Sequence, residues 1–382
     1  MSAGASLKIA IAGGGTGGHL FPGIAVAEEF RRRHPETRVL FLSRGNELER
    51  RALEHAGFPL ATIAVEGIVG RGRFRQLRAL AKLPRACLQA GRHLRAFRPD
   101  LVLGLGSYSA GPVVIAARLL GIPIALCEQN SRPGATNRLL ARFADRVFVA
   151  FPQTVGSFPA GRALWTGNPL RRGVLAAREP RSPSPSPPER GFTLLVLGGS
   201  QGAHRLNTAM LEALPFLEGV RGRLRVLHQS GAADEEAVRG AYARAGFSAR
   251  VEAFFHDMGD IYRRADLVVC RAGATTIAEI TALGRAAIFV PFPHAAADHQ
   301  TENAARLVEA GAAEMIAEGE LNGQRLAGRL LALMQAPALL SERGRRAAEL
   351  GKPEAACAVV EECLRLIAAR CAVRKRGGAR VP

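Results

Sequence analysis

Residues Gly13-Gly14-Gly15-Thr16-Gly17-Gly18 follow a short apolar segment and open a helical one. Glycines at such a junction let backbone N–H groups converge, and a helix start adds the positive end of its dipole, so the pattern makes an anion site suited to a diphosphate. It also satisfies G-x-G-x-x-G, the dinucleotide fingerprint, which wants an acidic residue at the end of the next strand. That strand closes on Leu42-Ser43-Arg44, so no carboxylate stands there and Arg44 leaves open only a phosphorylated dinucleotide. Without a ligand, the same glycines would serve a tight turn and close helix packing. A second glycine segment, Gly104 to Pro112, places Gly106, Ser107 and Tyr108 between another strand and helix. Two backbone nests in one half of the chain suit a diphosphate.

His19 sits in the first turn of the helix after the first loop, where the dipole favours the neutral imidazole that a general base must be. Its alternative is to order the loop by hydrogen bonding. Glu128, in Cys127-Glu128-Gln129-Asn130 after another strand, is the rival base or a polar orienter. In the second half Gly198-Gly199-Ser200-Gln201-Gly202-Ala203 repeats the anion loop, with the Ser200 hydroxyl suited to a phosphate oxygen. Cys270 to Glu279 then sets Glu279 just inside a helix behind a glycine turn. A carboxylate there can accept both ribose hydroxyls of a nucleotide; the bland role is first-turn dipole compensation, about 0.3–1 kcal/mol.

Positioning these groups requires strands that end at the loops. Apolar runs LKIAIA, RVLFLS, DLVLGL, IPIALC and RVFVA alternate with helical stretches to about residue 150, the pattern of βαβ units on a parallel sheet. Residues 176–190, AAREPRSPSPSPPER, have too much Pro, Ser and charge to form a core. Alternation resumes with TLLVLGG, LRVLHQ, ARVEAF, DLVVCR and AAIFVPF, and both halves open with strand, glycine cluster and helix. The expected class is α/β: two Rossmann-like doubly wound domains facing a cleft, with ligands at the carboxyl ends of the strands. The expected division is 7–170, a linker 171–190, 191–350, a helix within 351–371 that crosses back onto the first domain, and a frayed basic tail 372–382.

A length of 382 residues and a hydrophobic fraction of 48% suit two ample cores. The net charge of +19 points to an anionic partner, although arginine-rich coding inflates it, and charge alone does not choose among nucleic acid, membrane headgroups and phosphorylated substrates. The six cysteines form no C-x-x-C pair and no cluster with histidine, which argues against zinc and a disulfide framework and suits a reducing cytoplasm. No signal-peptide pattern precedes the glycine loop and no apolar run approaches the ~18 residues of a spanning helix, so membrane contact is expected to be peripheral. Residues 71–98 supply a candidate surface: Phe74, Leu77, Leu80 and Leu83 alternate with Arg71, Arg73, Arg75, Arg78, Lys82 and Arg85 at amphipathic-helix spacing. An ordinary helix with leucines in the core gives the same pattern.

The ordered set GGGTGGHLFPGIAVA, GSYSAGP, EQN, TGNPLR, GGSQGA, DMGDIYRRADLVVCRAGATTIAE and VPFPHAAADHQTENA resembles the MurG family, the peptidoglycan N-acetylglucosaminyltransferases of the GT-B superfamily and glycosyltransferase family 28, from about Leu7 to the last helix. The resemblance implies an inverting hexosyltransferase of cell-wall synthesis, serving cell shape and division, at the cytoplasmic face of the bacterial inner membrane. It implies UDP-N-acetylglucosamine as donor on the C-terminal domain and lipid I, a lipid-diphosphate-linked muramyl peptide, as acceptor on the N-terminal one, with lipid II as product. Donor contacts carried over are Thr16, Gly17, Gly18, Asn130, Arg171, Ser200, Gln201, Gly202, Ala274, Thr275, Thr276, Ile277, Ala278, Glu279 and Gln300, with a backbone contact to uracil at Phe255. Gly14, Gly15, Gly106, Ser107 and Tyr108 are left for the acceptor diphosphate.

The implied reaction is a single displacement by the acceptor's C4 hydroxyl, with Arg171 and backbone amides stabilising the departing diphosphate and no metal or cofactor. Implied partners are the two substrates, an anionic membrane and cell-wall or division proteins, with no nucleic acid. The sequence departs from the family in the bulk of Phe255, the alanines before Gln300 and a longer proline-rich linker. Competing readings are another GT-B transferase with a lipid or natural-product acceptor, and a non-catalytic nucleotide-sugar binding module.

Overall fold

The computed structural model describes residues 6–65, 73–178, 191–199, 202–295 and 298–378, and the chain divides into two compact units, Met1–Arg171 with Glu354–Pro382, and Arg172–Pro353. Unit 1 runs β1 (Lys8–Ala12), α1 (Gly17–Arg33), β2 (Arg38–Ser43), α2 (Glu47–His55), β3 (Leu60–Thr62), α3 (Arg73–Phe97), β4 (Leu101–Gly104), α4 (Ser107–Leu119), β5 (Ile124–Glu128), α5 (Ala135–Leu140), β6 (Arg146–Val149) and β7 (Ala163–Trp165). Its sheet is parallel, in the order β3-β2-β1-β4-β5-β6-β7.

The strands read as continuous apolar runs because helices cover both faces of the sheet. Side chains alternate across β1: Ile9 and Ile11 join one core, Ala10 and Ala12 the other. Ile9 and Ile11 share their core with Leu20, Ile24 and Phe30 of α1. Ala10 and Ala12 share theirs with Val113 and Ala117 of α4.

Unit 2 runs α6 (Arg172–Leu175), β8 (Phe192–Leu197), α7 (His204–Ala213), β9 (Leu224–Gln229), α8 (Glu235–Arg244), β10 (Ser248–Glu252), α9 (Met258–Arg264), β11 (Leu267–Cys270), α10 (Ala274–Leu283), β12 (Ala287–Phe289), α11 (His299–Glu309), β13 (Ala313–Met315), α12 (Gly323–Met334) and α13 (Pro337–Leu350). Its parallel order is β10-β9-β8-β11-β12-β13. In each sheet the direction of winding reverses beside the first strand, between β1 and β4 and between β8 and β11. Such a reversal opens a crevice at the strands' carboxyl ends.

A last helix, α14 (Ala355–Gly378), lies in unit 1 and packs along α1. Val359, Val360, Cys363 and Ile367 form its buried stripe, spaced one helical face apart, and enter the same core as Ile9 and Phe30. Two boundaries differ from the sequence expectation. The span 172–178 is not linker: α6 packs on α9, where the Gly173 carbonyl abuts Gly259, and Arg263 donates to the Ala176 carbonyl at 3.2 Å. Residues 372–378 continue α14 as helix, because nothing in that stretch breaks it before the glycine pair Gly377-Gly378. The linker residues 179–190 lie outside the described residues. So do Arg71 and the side chains of Arg73, Phe74, Arg75, Leu77, Arg78 and Leu80; of the proposed amphipathic face, Lys82 and Leu83 are half-buried and Arg85 is exposed.

The joint between α1 and α14 contains a buried carboxylate. Glu29 is 4% exposed and accepts from Arg32 at 2.7 Å and 2.8 Å, from Arg33 at 2.7 Å and from the Cys357 thiol at 3.3 Å. Hydrogen bonds from Arg32, opposed by burial and reinforced by Arg33 and Cys357, hold its carboxyl down to about 2, against an ordinary 4.5. The folded carboxyl stays ionised where the unfolded one has taken a proton. Its contribution is therefore complete above about pH 4.5 and is lost as pH falls toward 2. Glu29→Gln should flatten the acid limb of stability by about 1–3 kcal/mol between those pH values. Urea unfolding of both proteins across that range checks it, and parallel acid limbs would remove Glu29 as the cause.

Candidate active site

In unit 1 three loops meet at the carboxyl ends of β1, β4 and β5. The β1 loop touches the β4 loop through backbone: a Cβ on Gly13, whose φ is +112°, would lie 2.6 Å from the Gly106 carbonyl oxygen. Only glycine permits that approach. Thr16 is the N-cap of α1, but its side chain makes no capping hydrogen bond, so its exposed hydroxyl is not used to close the helix. Ser107 begins α4 at φ +60°, a backbone state rare for serine, and its hydroxyl is 2.8 Å from that of Ser109. Arg44, the residue that tested the dinucleotide reading, donates to the Tyr108 hydroxyl at 3.5 Å.

His19 stands where these loops converge. Its Nδ1 is 3.0 Å from the Leu105 carbonyl oxygen and 2.9 Å from Gln129 Oε1, two acceptors. In the neutral ring the proton therefore resides on Nδ1, and Nε2 carries the lone pair a general base needs. Gln129 also donates to the Leu105 carbonyl at 3.1 Å, which fixes its amide with the oxygen toward the imidazole. Gln129 was not singled out in the sequence, where it stood between two residues that were.

Glu128 is 2% exposed and fully subscribed. Its Oε1 accepts the Asn130 amide at 3.0 Å and the Asn130 side chain at 3.3 Å; its Oε2 accepts the Gly134 amide at 3.0 Å and Asn137 Nδ2 at 2.9 Å. Four donors occupy the lone-pair directions of a carboxylate, so of its two expected roles the geometry supports the orienter. Asn137, held this way, lies 3.0 Å from where a Cβ on Gly106 would be, so Glu128 buttresses the β4 loop from behind. Arg171 stacks its guanidinium 4.2 Å from the Phe21 ring centre, beside the start of α1.

The sequence-derived acceptor set is altered at one point. Gly15 donates its N–H to Glu49 Oε1 at 2.7 Å, and so its amide is already committed. Glu49 comes from α2, one turn beyond the strand end that lacked an acidic residue.

In unit 2 the loop after β8 is closed by the Gly202 amide donating to the Gly199 carbonyl at 3.2 Å, so this donor serves the turn. Ser200 and Gln201 lie outside the described residues. Gln229, at the end of β9, donates to the Gly199 carbonyl at 2.9 Å and accepts the Phe255 amide at 2.9 Å. The Phe255 N–H is thereby occupied and its ring is buried, leaving its carbonyl for the expected backbone contact. Behind the loop His228 is buried between the Tyr242 hydroxyl and Asn207 Oδ1, each at 3.0 Å, and burial pushes its imidazole down to about 4.

Gly273 caps α10, which starts at Ala274 with no acidic residue in its first turn. Glu279 is in the second turn, so dipole compensation is not its role. It is 8% exposed and accepts the Tyr262 hydroxyl on Oε2 at 2.8 Å. Thr275, Thr276 and Ala278 are half-buried, whereas the Ile277 side chain belongs to the interior, which restricts any ligand contact there to backbone. Gln300 accepts the Phe292 amide on Oε1 at 3.0 Å, an arrangement that ties the start of α11 to the Pro291–Phe292 turn. Among the described residues, no group of three or more His, Cys, Asp or Glu is placed to hold a metal ion.

Models of the glycosyltransferase family 28 N-terminal and C-terminal domains match residues 9–149 and 193–359. A relative from Syntrophus aciditrophicus, named UDP-N-acetylglucosamine–N-acetylmuramyl-(pentapeptide) pyrophosphoryl-undecaprenol N-acetylglucosamine transferase, is 49% identical over 95% of this chain and 99% of its own length. The chain belongs to glycosyltransferase family 28. A relative of the same name from Geobacter sulfurreducens is 49% identical over 93% of this chain and 98% of its own. The crystal structure of Acinetobacter baumannii MurG superposes with a TM-score of 0.72 at 34% identity, covering 94% of this chain and 99% of that one. As a family 28 enzyme the chain is a hexosyltransferase with the two Rossmann-like domains of the GT-B fold.

Removing the Glu128 carboxylate should leave two backbone amides without their acceptor. Glu128→Ala is expected to lower the unfolding free energy by about 1–3 kcal/mol, the cost of leaving partly buried donors without an acceptor. Urea unfolding reads this directly, and an unshifted midpoint would contradict the buttress.

Proposed function

We propose that this chain transfers N-acetylglucosamine from UDP-N-acetylglucosamine to the C4 hydroxyl of the muramyl residue of lipid I, giving lipid II and UDP with inversion at the anomeric carbon. The observation that carries the reading is 49% identity, over nearly the whole length of both chains, to relatives named for this transfer. The geometry supplies matching parts. In unit 1 His19 Nε2 accepts the proton of the attacking hydroxyl, while Nδ1–H remains on the Leu105 carbonyl and Gln129. In unit 2 the glycine loop after β8 and the start of α10 face the donor's diphosphate, and Glu279, held by Tyr262, accepts ribose hydroxyls. Charge growing on the leaving diphosphate is met by fixed backbone amides and by Arg171, and these groups need little reorganisation as the bond breaks.

The donor thus belongs mainly to unit 2 and the acceptor diphosphate to the glycine loops of unit 1. A lipid-linked acceptor and a net charge of +19 support peripheral attachment to an anionic bilayer, and no described helix is long and apolar enough to cross one.

Incubation with radiolabelled UDP-N-acetylglucosamine and a lipid I analogue tests the reaction; donor binding without labelled lipid product would demote the chain to a binding module. His19→Ala should lower kcat about 10²–10⁴-fold. Glu279→Ala should instead raise donor KM about tenfold or more with a smaller effect on kcat, as expected for a lost ground-state contact. Equal effects of both variants on kcat alone would reject this division of roles. For attachment, sedimentation with vesicles should be strong when they contain phosphatidylglycerol and weaken sharply with added salt. Salt-independent binding to purely zwitterionic vesicles would refute the electrostatic part.

A further inference from the structure

Glu49 belongs to none of the motifs described above, yet its carboxylate reaches the centre of the first glycine loop. The side chain is completely buried. Its Oε2 accepts the Asn46 amide at 2.8 Å, and Asn46 Oδ1 accepts the Glu49 amide at 2.9 Å, a reciprocal cap on α2. Capping explains that pair and no more. The other oxygen, Oε1, takes the Gly15 N–H at 2.7 Å, and Asn46 Nδ2 donates to the Gly15 carbonyl at 3.0 Å. Both polar groups of one loop residue are thus held by a helix cap some thirty residues away. The fit is tight: a Cβ on Gly14 would stand 2.3 Å from Glu49 Oε1, so the glycine at 14 is required by the carboxylate beside it.

We propose that Glu49 is the positioning residue of the acceptor loop. It fixes the Gly14–Gly15 segment with the Gly15 amide directed into the protein. The assignment moves the Thr16 hydroxyl and the start of α1 from the donor contacts expected above to the acceptor, whose diphosphate they share with the Gly106–Tyr108 loop. This rests on the reading that unit 1 receives the lipid-linked acceptor. A carboxylate seated in a glycine nest also opposes a free anion settling there, so the loop discriminates in favour of a ligand held by additional contacts.

Glu49→Ala removes the acceptors of the Gly15 and Asn46 amides; Glu49→Gln keeps one acceptor oxygen and the side-chain volume, and stands in if the alanine variant fails to fold. Donor and lipid I analogue are varied in turn for each protein, and amide exchange is followed at residues 13–18. We expect acceptor KM to rise about tenfold in Glu49→Ala and less in Glu49→Gln. Donor KM should stay within about twofold, and exchange should quicken at 13–18 but not in the unit 2 loops. An unchanged acceptor KM, or equal rises in both KM values, overturns the proposal. If the wild-type chain transfers no sugar, the functional reading fails by itself. Exchange then decides Glu49, and unaltered protection at 13–18 overturns the assignment.

Discussion

The unit 1 site depends on a backbone-to-backbone contact. Gly13 meets the Gly106 carbonyl so closely that the β1 and β4 loops have no side chain between them, and this joins two glycine loops into one surface. Strand register brings them there: the Leu105 amide donates to the Ala12 carbonyl at 2.8 Å, one residue past the paired strands. Each loop is then held from outside. Gln129 and His19 share the Leu105 carbonyl, Asn137 supports Gly106, and Glu49 fixes Gly15. A ligand arriving here finds peptides whose orientations are already determined, the condition under which backbone dipoles stabilise charge efficiently.

The two units solve one architectural problem with different chemistry. Unit 1 holds its loops with carboxylates, Glu49 and Glu128, each receiving backbone amides. Unit 2 holds the loop after β8 directly with carboxamides, Gln229 on the Gly199 carbonyl and Asn207 on the Ser230 carbonyl at 2.9 Å, beside Gly202, and its carboxylate, Asp234, stands one step back, accepting from Asn207 at 2.7 Å and lying 3.0 Å from His204. Buried carboxylates offset the positive field of the amides around them, whereas carboxamides add no net charge. The contacts made directly to backbone are thus charged in unit 1 and neutral in unit 2.

Much of this was legible in the sequence where local pattern and burial coincide. Strands buried on both faces must be apolar throughout, so the runs from LKIAIA to AAIFVPF marked the two sheets, and strand-glycine-helix junctions marked the loops. The helix behind the glycine turn at Gly273 was legible, but a first-turn place for Glu279 was not correct, because the helix begins at Ala274 and the carboxylate is one turn further in. The residues that sequence did not reveal act over long separations. Gln129 reaches Leu105, Gln229 reaches Phe255 and Tyr262 reaches Glu279, and no spacing rule connects such pairs. Glu49 was half visible: Asn46-x-x-Glu49 is a capping box by type, and only its second oxygen needed the fold to explain it.

The last helix gives the site its backing. The N-terminal end of α1 carries Thr16 and His19, and its C-terminal turn carries Arg32 and Arg33, which bind Glu29. Arg33 also donates to the Cys357 carbonyl at 3.4 Å, while Val359, Val360 and Cys363 pack into the core shared with Leu20 and Ile24. The helix is thus clamped along its length between sheet and α14, and at its front Gly23 lies so near Leu105 that a Cβ would meet the leucine at 2.4 Å. Leu105 supplies both the side chain that α1 rests on and the carbonyl that orients His19. A shift of α1 would move the imidazole and break its hydrogen bond together. Segments at opposite ends of the chain are therefore required to hold one ring nitrogen in place.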